Sequence, residues 1–201
     1  MDPHAIIAHS FVLIDQEIGS HSWTESEYRI VRRAIHATAD FELNHLFRFN
    51  PAAIASGIAA LQAHTPVIVD VRMVAVAVAS RLLQQQIPLF CALDFIPPNS
   101  PAGQTLTAAG MEQLIAQYPQ AIFVIGNAPT ALLSLTTAVE QGTCDPALVI
   151  GVPVGFVAVE EAKNSLARLA VPQIQVQGRK GGSPVAAAIL NALMEMAYPA
   201  S

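Results

Sequence analysis

Arg29, Arg32, Arg33 and His36 recur at the spacing i, i+3, i+4, i+7. That spacing puts all four on one face of a helix. Val31, Ala34 and Ile35 fall on the other side, so the helix is expected to bury one face and present a basic stripe. An arginine guanidinium is a planar fork suited to carboxylates, and a histidine exchanges a proton near neutral pH. The pattern suits recognition of an anionic ligand with a proton donor at its end. It is also the pattern of a solvated charged helix face, and spacing alone does not separate the two.

Four loop segments carry a second signal. They are Asp70-Val71-Arg72-Met73, Gly126-Asn127-Ala128-Pro129-Thr130, Gly151-Val152-Pro153-Val154-Gly155-Phe156 and Gly178-Arg179-Lys180-Gly181-Gly182-Ser183-Pro184. Glycine lets a backbone approach a ligand closely. Pro129 and Pro184 suit the first turn of a helix, where unpaired N–H groups attract anions. Arg179 and Lys180 add positive charge. Any one loop alone reads as ordinary turn chemistry; several at one sheet edge favour an anionic ligand.

Other chemistries lack their residues. The chain has no G-x-G-x-x-G, no G-x-x-x-x-G-K-[ST] and no G-x-S-x-G. Its histidines (His4, His9, His21, His36, His45, His64) show neither H-x-H nor H-E-x-x-H spacing, so no metal site is expected. Cys91 and Cys144 have no CxxC spacing and are expected to be free thiols.

The elements that must position these residues follow from apolar patterning. Thr24 and Glu27 form a capping-box pair ahead of a helix through His36. Asn50-Pro51 is expected to open another helix, ending near Pro66. Short apolar runs then alternate with helical stretches. Strands are expected at 66–70, 89–93, 121–125, 147–151 and 173–177. Helices are expected between them and over 183–196, with a proline-rich loop from Phe95 to Gln104. Continuous apolar strands alternating with helices predict an α/β fold: three αβα layers, a mainly parallel sheet and N-terminal helices, in one domain over 1–201. Ligands of such sheets bind outside the carboxyl ends of the strands, where the four loops fall.

Composition agrees. The 201 residues are 53% hydrophobic and 12% charged, which excludes disorder. With 10 Lys+Arg against 15 Asp+Glu, no basic nucleic-acid footprint is visible. So little charge on so apolar a chain suggests a surface covered by another subunit. The uncharged stretch from Gln113 to Val139 is broken by Pro119, Asn127 and Pro129, so it reads as helix, strand and helix and not as a membrane span. Met1-Asp2-Pro3-His4 has no basic region before an apolar run, so no secretory signal is expected, and a soluble cytoplasmic protein is.

The blocks Arg32-Arg33-Ala34-Ile35-His36-Ala37-Thr38-Ala39-Asp40, Gly126-Asn127-Ala128-Pro129-Thr130-Ala131-Leu132, Gly151-Val152-Pro153-Val154-Gly155-Phe156-Val157 and Gly178-Arg179-Lys180-Gly181-Gly182-Ser183 together resemble the precorrin-8X methylmutase family of cobalamin biosynthesis. The resemblance spans nearly the whole chain in order. It implies an α/β homodimer with its active site at the subunit contact. It implies migration of a methyl group between adjacent ring C carbons of precorrin-8X to give hydrogenobyrinate, or the cobalt equivalent to cobyrinate. The methyl stays within the substrate, so no methyl donor or other cofactor is expected. The family's histidine matches His36, which would protonate or hydrogen-bond a ring nitrogen. The family's serine matches Ser10 of Ser10-Phe11. Arg32, Arg72, Asn127 and Arg179 are further candidate substrate contacts, inferred from loop position and charge.

The chain departs from the family twice. Leu106 of Thr105-Leu106-Thr107-Ala108-Ala109 stands where an arginine is usual, and Ala77 where a glycine is usual. Leu106 supports a second reading, a corrinoid-binding protein on the same fold that turns tetrapyrrole over poorly.

Overall fold

A computed structural model describes residues 3–99 and 103–199. Met1 and Asp2 of the chain start, and residues 100–102 of the proline-rich loop, lie outside the described residues. Among the described residues six strands form one sheet in the order β1-β6-β5-β4-β2-β3. They are β1 (Phe47–Phe49), β2 (Val67–Val69), β3 (Leu89–Cys91), β4 (Ile122–Ile125), β5 (Leu148–Gly151) and β6 (Gln173–Val176). The pairs among β2 to β6 are parallel and β1 is antiparallel to β6, with Phe47 opposite Val176.

The strands bury both faces because helices cover both. Val67, Val69, Ile122, Val124, Leu148, Ile150, Ile174 and Val176 face a core shared with α2 (Glu25–Thr38), α4 (Ala53–Gln62), α5 (Arg72–Gln84) and α9 (Ser183–Ala197). Ile68, Phe123, Ile125 and Val149 face the other core, shared with α6 (Leu106–Gln117), α7 (Pro129–Glu140) and α8 (Val159–Ala167). Alternation along each strand sends successive side chains to opposite layers, which is the three-layer arrangement expected.

Thr24 caps α2 as its sequence predicts. Its hydroxyl accepts from the Glu27 N–H at 3.4 Å, and the Glu27 carboxylate accepts from the Thr24 N–H at 2.9 Å. Ile30, Val31, Ala34 and Ile35 of α2 are buried, mainly against α9. Removing such aliphatic side chains from water is worth about 1.5–3 kcal/mol each, enough to hold α2 on the outside of the α9 layer. The helix α1 (Pro3–Ile18) packs on α2 in turn.

Two sequence expectations need correction. The helix expected to open at Asn50-Pro51 starts at Ala53, because the Asn50 side chain accepts from the Ala52 N–H at 3.0 Å and forms a turn of its own first. The short antiparallel edge strand β1, and the turn of helix α3 (Leu43–Leu46) before it, were not expected. Phe47-Arg48-Phe49 is only three residues long and gains its strand character from pairing with β6, which is distant in sequence. Cys91 and Cys144 are free and buried. Burial raises both thiols, Cys144 to about 11, so neither is poised to react.

Candidate active site

The parallel strands bring the loops after β2, β4, β5 and β6 to one sheet edge. What orders them is the carboxylate of Asp70, the residue that follows β2. Asp70 is fully buried. It accepts the N–H of Gly126 at 3.0 Å, of Asn127 at 2.7 Å and of Ala128 at 2.7 Å. Burial raises its carboxyl above the ordinary range, against the three N–H groups, which lower it. Those N–H groups lead into the first turn of α7, where Pro129 occupies the first position. An internal carboxylate thus fills a site at which the sequence suggests a ligand anion. Asn127 itself is left with an exposed side chain that makes no hydrogen bond among the described residues.

The loops after β5 and β6 are zipped together. Gly182 donates to the Val152 carbonyl at 2.8 Å and Gly155 to the Arg179 carbonyl at 3.2 Å. Gly181 has φ +144°, and a Cβ there would lie 2.2 Å from the Val152 oxygen, so only glycine permits this approach. Lys180 reaches the segment after α2, pairing with Asp40 at 2.7 Å and Glu42 at 2.8 Å. The ion pairs raise its ammonium above the usual value. They also tie the end of α2, and with it His36, to the sheet edge.

His36 sits exposed in the last turn of α2. Its ring meets the edge of Phe11 at 5.3 Å between centroids, 71° apart in plane. Phe11 also carries the Arg32 guanidinium over its ring at 4.4 Å. Phe11 of α1 thus joins Arg32 and His36 of α2, and Ser10 precedes it in the same helix. Ser10 is half-buried and its hydroxyl donates to the Ile6 carbonyl at 2.9 Å, which leaves its oxygen lone pairs as acceptors.

Arg32 and Arg33 of the basic stripe are paired within the fold, while Arg29 is exposed. Arg32 binds Asp15 at 2.9 Å, and Asp15 also accepts from Tyr28 at 2.6 Å. Burial and Asp15 push the Tyr28 phenol up to about 12. Arg33 binds Glu195 at 2.7 Å, which Arg81 shares at 2.9 Å. The helices α1 and α9 flank α2 and supply these carboxylates. Among the remaining donors of Arg32, the buried Nε has no acceptor among the described residues.

Arg179 lies on the loop after β6, while Arg72, expected on a loop, begins a helix; both are exposed. Arg72, the first residue of α5, grips Asp94 through Nε at 3.2 Å and Nη2 at 2.6 Å. That pair raises its guanidinium further above its ordinary value. Arg179 lies 5.7 Å over the Phe156 ring and 3.9 Å from Glu160. Leu106, the first residue of α6, is 56% exposed, and the hydroxyl of its neighbour Thr105 lies 2.6 Å from that of Thr130 in the first turn of α7. Two grooves are lined by other residues. One runs between α6 and α7 past Glu112 and Ser134, and another lies at the opposite sheet edge near His64, Tyr118 and Asp145. The candidate residues line neither groove, and within one chain they face open surface.

The acceptor role of Asp70 and the burial of Lys163 are not among the sequence expectations. A lone aspartate ending an apolar strand and a lone lysine inside a helix are the signals that could have marked them. Among the described residues no group of three His, Cys, Asp or Glu side chains is placed to hold a metal ion. No helix there is long and apolar enough to cross a membrane.

Comparison with known proteins supplies the family. The pattern described as precorrin-8X methylmutase matches residues 5–196. The cobalt-precorrin-8 methylmutase of Synechocystis is 48% identical, over 97% of this chain and 96% of its own length. The precorrin-8X methylmutase of a Sinorhizobium species is 36% identical, over 96% and 94%. The solved precorrin-8X methylmutase of Thermus thermophilus superposes with a TM-score of 0.86 at 41% identity, covering 96% of both chains. With the whole fold and the length of the chain matched, this protein belongs to the precorrin-8X methylmutase family, isomerases of cobalamin biosynthesis.

Proposed function

We propose that the chain moves a methyl group between adjacent ring C carbons of a corrin precursor, with His36 as the acid. His36 would donate to a ring nitrogen and polarise the conjugated ring while the methyl migrates. The observation that carries this is the His36–Phe11 contact beside Ser10, which sets the two family-matched residues on adjoining helices. The Phe11 edge restricts the imidazole, and a positioned donor is what general acid catalysis requires. Arg32, Arg72, Asn127 and Arg179 would take the substrate's carboxylates and polar edge, with Arg72 and Arg179 exposed enough to exchange their present partners for a ligand. The main catalytic contribution is then positioning of the methyl over its receiving carbon.

The test is incubation with precorrin-8X and, in parallel, its cobalt-containing counterpart while the visible spectrum is recorded. Relatives of both names match the chain, so both substrates are used. Migration of the methyl changes the conjugated path, and conversion to the product spectrum is expected with at least one. A spectrum that shifts on binding and then stays constant would mean a corrinoid-binding protein without turnover.

The protein is proposed to work as a cytoplasmic homodimer. Apolar side chains stand exposed along α1 (Ile6, Ile7, Val12, Leu13), along α5 (Met73 67%, Val76 80%, Leu83 78%) and on the loop after β5 (Phe156 84%, Val157 85%). Exposed apolar side chains on several elements suit a contact with another chain, and the open site would be enclosed by a second copy. Light scattering is expected to give about twice the 21.3 kDa chain mass. A mass staying near that of one chain from micromolar to submillimolar protein would remove the dimer.

A further inference from the structure

Lys163 is a buried cation that the proposed chemistry does not use. It lies on the inner side of α8 and is 3% exposed. No carboxylate among the described residues forms a salt bridge with it. Its ammonium donates to two main-chain carbonyls, Gly178 at 2.8 Å and Lys180 at 2.6 Å. Desolvation pulls it down to about 8, with Glu160 opposing. A charge held this way is costly to bury, and a long apolar side chain would fill the same space without that cost.

What the ammonium holds is the residue between those carbonyls. The Arg179 carbonyl accepts from Gly155, so three successive carbonyls, at 178, 179 and 180, are all held. Gly178 turns the chain with φ +67°. Lys180 is anchored on the far side by Asp40 and Glu42. The Arg179 side chain, by contrast, is 60% exposed, and its contact with Glu160 is long at 3.9 Å. A rigid backbone thus carries an available guanidinium.

We propose that Lys163 is a positioning residue for substrate binding, which fixes the turn that presents Arg179 to a carboxylate of the corrin. The inference rests on the reading of Arg179 as a substrate contact. Lys163 touches no substrate and acts through the carbonyls of Gly178 and Lys180.

The experiment titrates hydrogenobyrinate into the full-length protein at several salt concentrations. Lys163→Met keeps the apolar stem and removes the ammonium. It is expected to melt near the parent temperature, to bind about tenfold more weakly, and to keep its kcat at saturation, since His36 is untouched. Arg179→Ala is expected to weaken binding to a similar degree and to flatten its salt dependence. Lys163→Met should flatten it equally, and the double variant should bind no worse than Arg179→Ala alone. Were Lys163→Met to fail to fold, Lys163→Gln, which keeps one donor to the turn, takes its place with the same expectations at smaller size. Unchanged affinity in the Lys163 variant beside a loss in Arg179→Ala would overturn the positioning role and leave Arg179 as a contact. Unchanged affinity in Arg179→Ala would overturn the reading of Arg179 and the inference with it. Full additivity would mean that Lys163 acts elsewhere.

Discussion

His36→Ala is expected to fold, to bind the corrin product with affinity near that of the parent, and to lose turnover by about 10²–10⁴-fold. The stability expectation follows from where the ring sits. His36 is exposed at the end of α2, and its ring meets Phe11 in a T-shaped contact. Surface changes of this kind usually stay within about 0.5 kcal/mol. The functional expectation follows from the role. A donor acting only as the ring becomes polarised contributes to the transition state and little to ground-state binding, so kcat falls while affinity holds. Single-turnover conversion followed by absorbance, with product titration alongside, measures both. Near-normal turnover in the variant would remove His36 as the acid.

Asp70→Asn is expected to damage stability and the site together. The parent carboxylate accepts three N–H groups in a fully buried position. An asparagine can keep its carbonyl on Asn127 and Ala128, but its NH₂ then faces the Gly126 N–H, donor against donor. Leaving a buried donor unsatisfied costs about 1–3 kcal/mol, and the repulsion adds to that. For a domain of this size each kcal/mol lowers the melting temperature by roughly 2–4 °C, so a fall on the order of 5–10 °C is expected. Activity should fall further than stability, because the turn at 126–128 sets the direction of Asn127. An unchanged melting temperature and unchanged activity would show that the turn holds without Asp70.

The same carboxylate predicts a pH effect of definite sign. The folded-state pKa of Asp70 is raised above its ordinary value. The folded protein therefore takes up this proton before the unfolded chain does. For such an acid the stabilising contribution is fullest below the unfolded pKa and is lost as pH rises through the folded one. Acidification through that window thus should not unfold the protein on account of Asp70. It should nevertheless convert an acceptor into a donor beneath the 126–128 turn. On acidification, Asp70 is then expected to contribute a loss of turnover that sets in before the ordinary carboxylate range is reached, absent from the residual activity of Asp70→Asn, with folding retained.

Much of the layout is local and was legible without coordinates. The β2 to β6 strands, the helices between them and the Thr24 box are written in short-range patterns: apolar runs bounded by turn residues, and a cap with its partner three residues on. Those patterns bury particular faces whatever else the chain does. Parallel strands need helical crossovers, so their order alone sends the loops at 70–73, 126–130, 151–156 and 178–184 to one edge. The charge partners are of another kind. Whether Arg32 and Arg33 are free depends on Asp15 and Glu195, which stand 17 and 162 residues away. Whether the start of α7 is open to a ligand depends on Asp70, 56 to 58 residues earlier. Edge strand β1 likewise exists through β6. No spacing rule reaches across such separations, because a charge in the sequence carries no record of what will lie within 3 Å of it. Residue type and helical period determined which groups could bind anions and where along the elements they sit. Only the packing of α1 and α9 against α2, and of the strand-end loops against one another, decided which of those groups are consumed within the fold and which remain for a ligand.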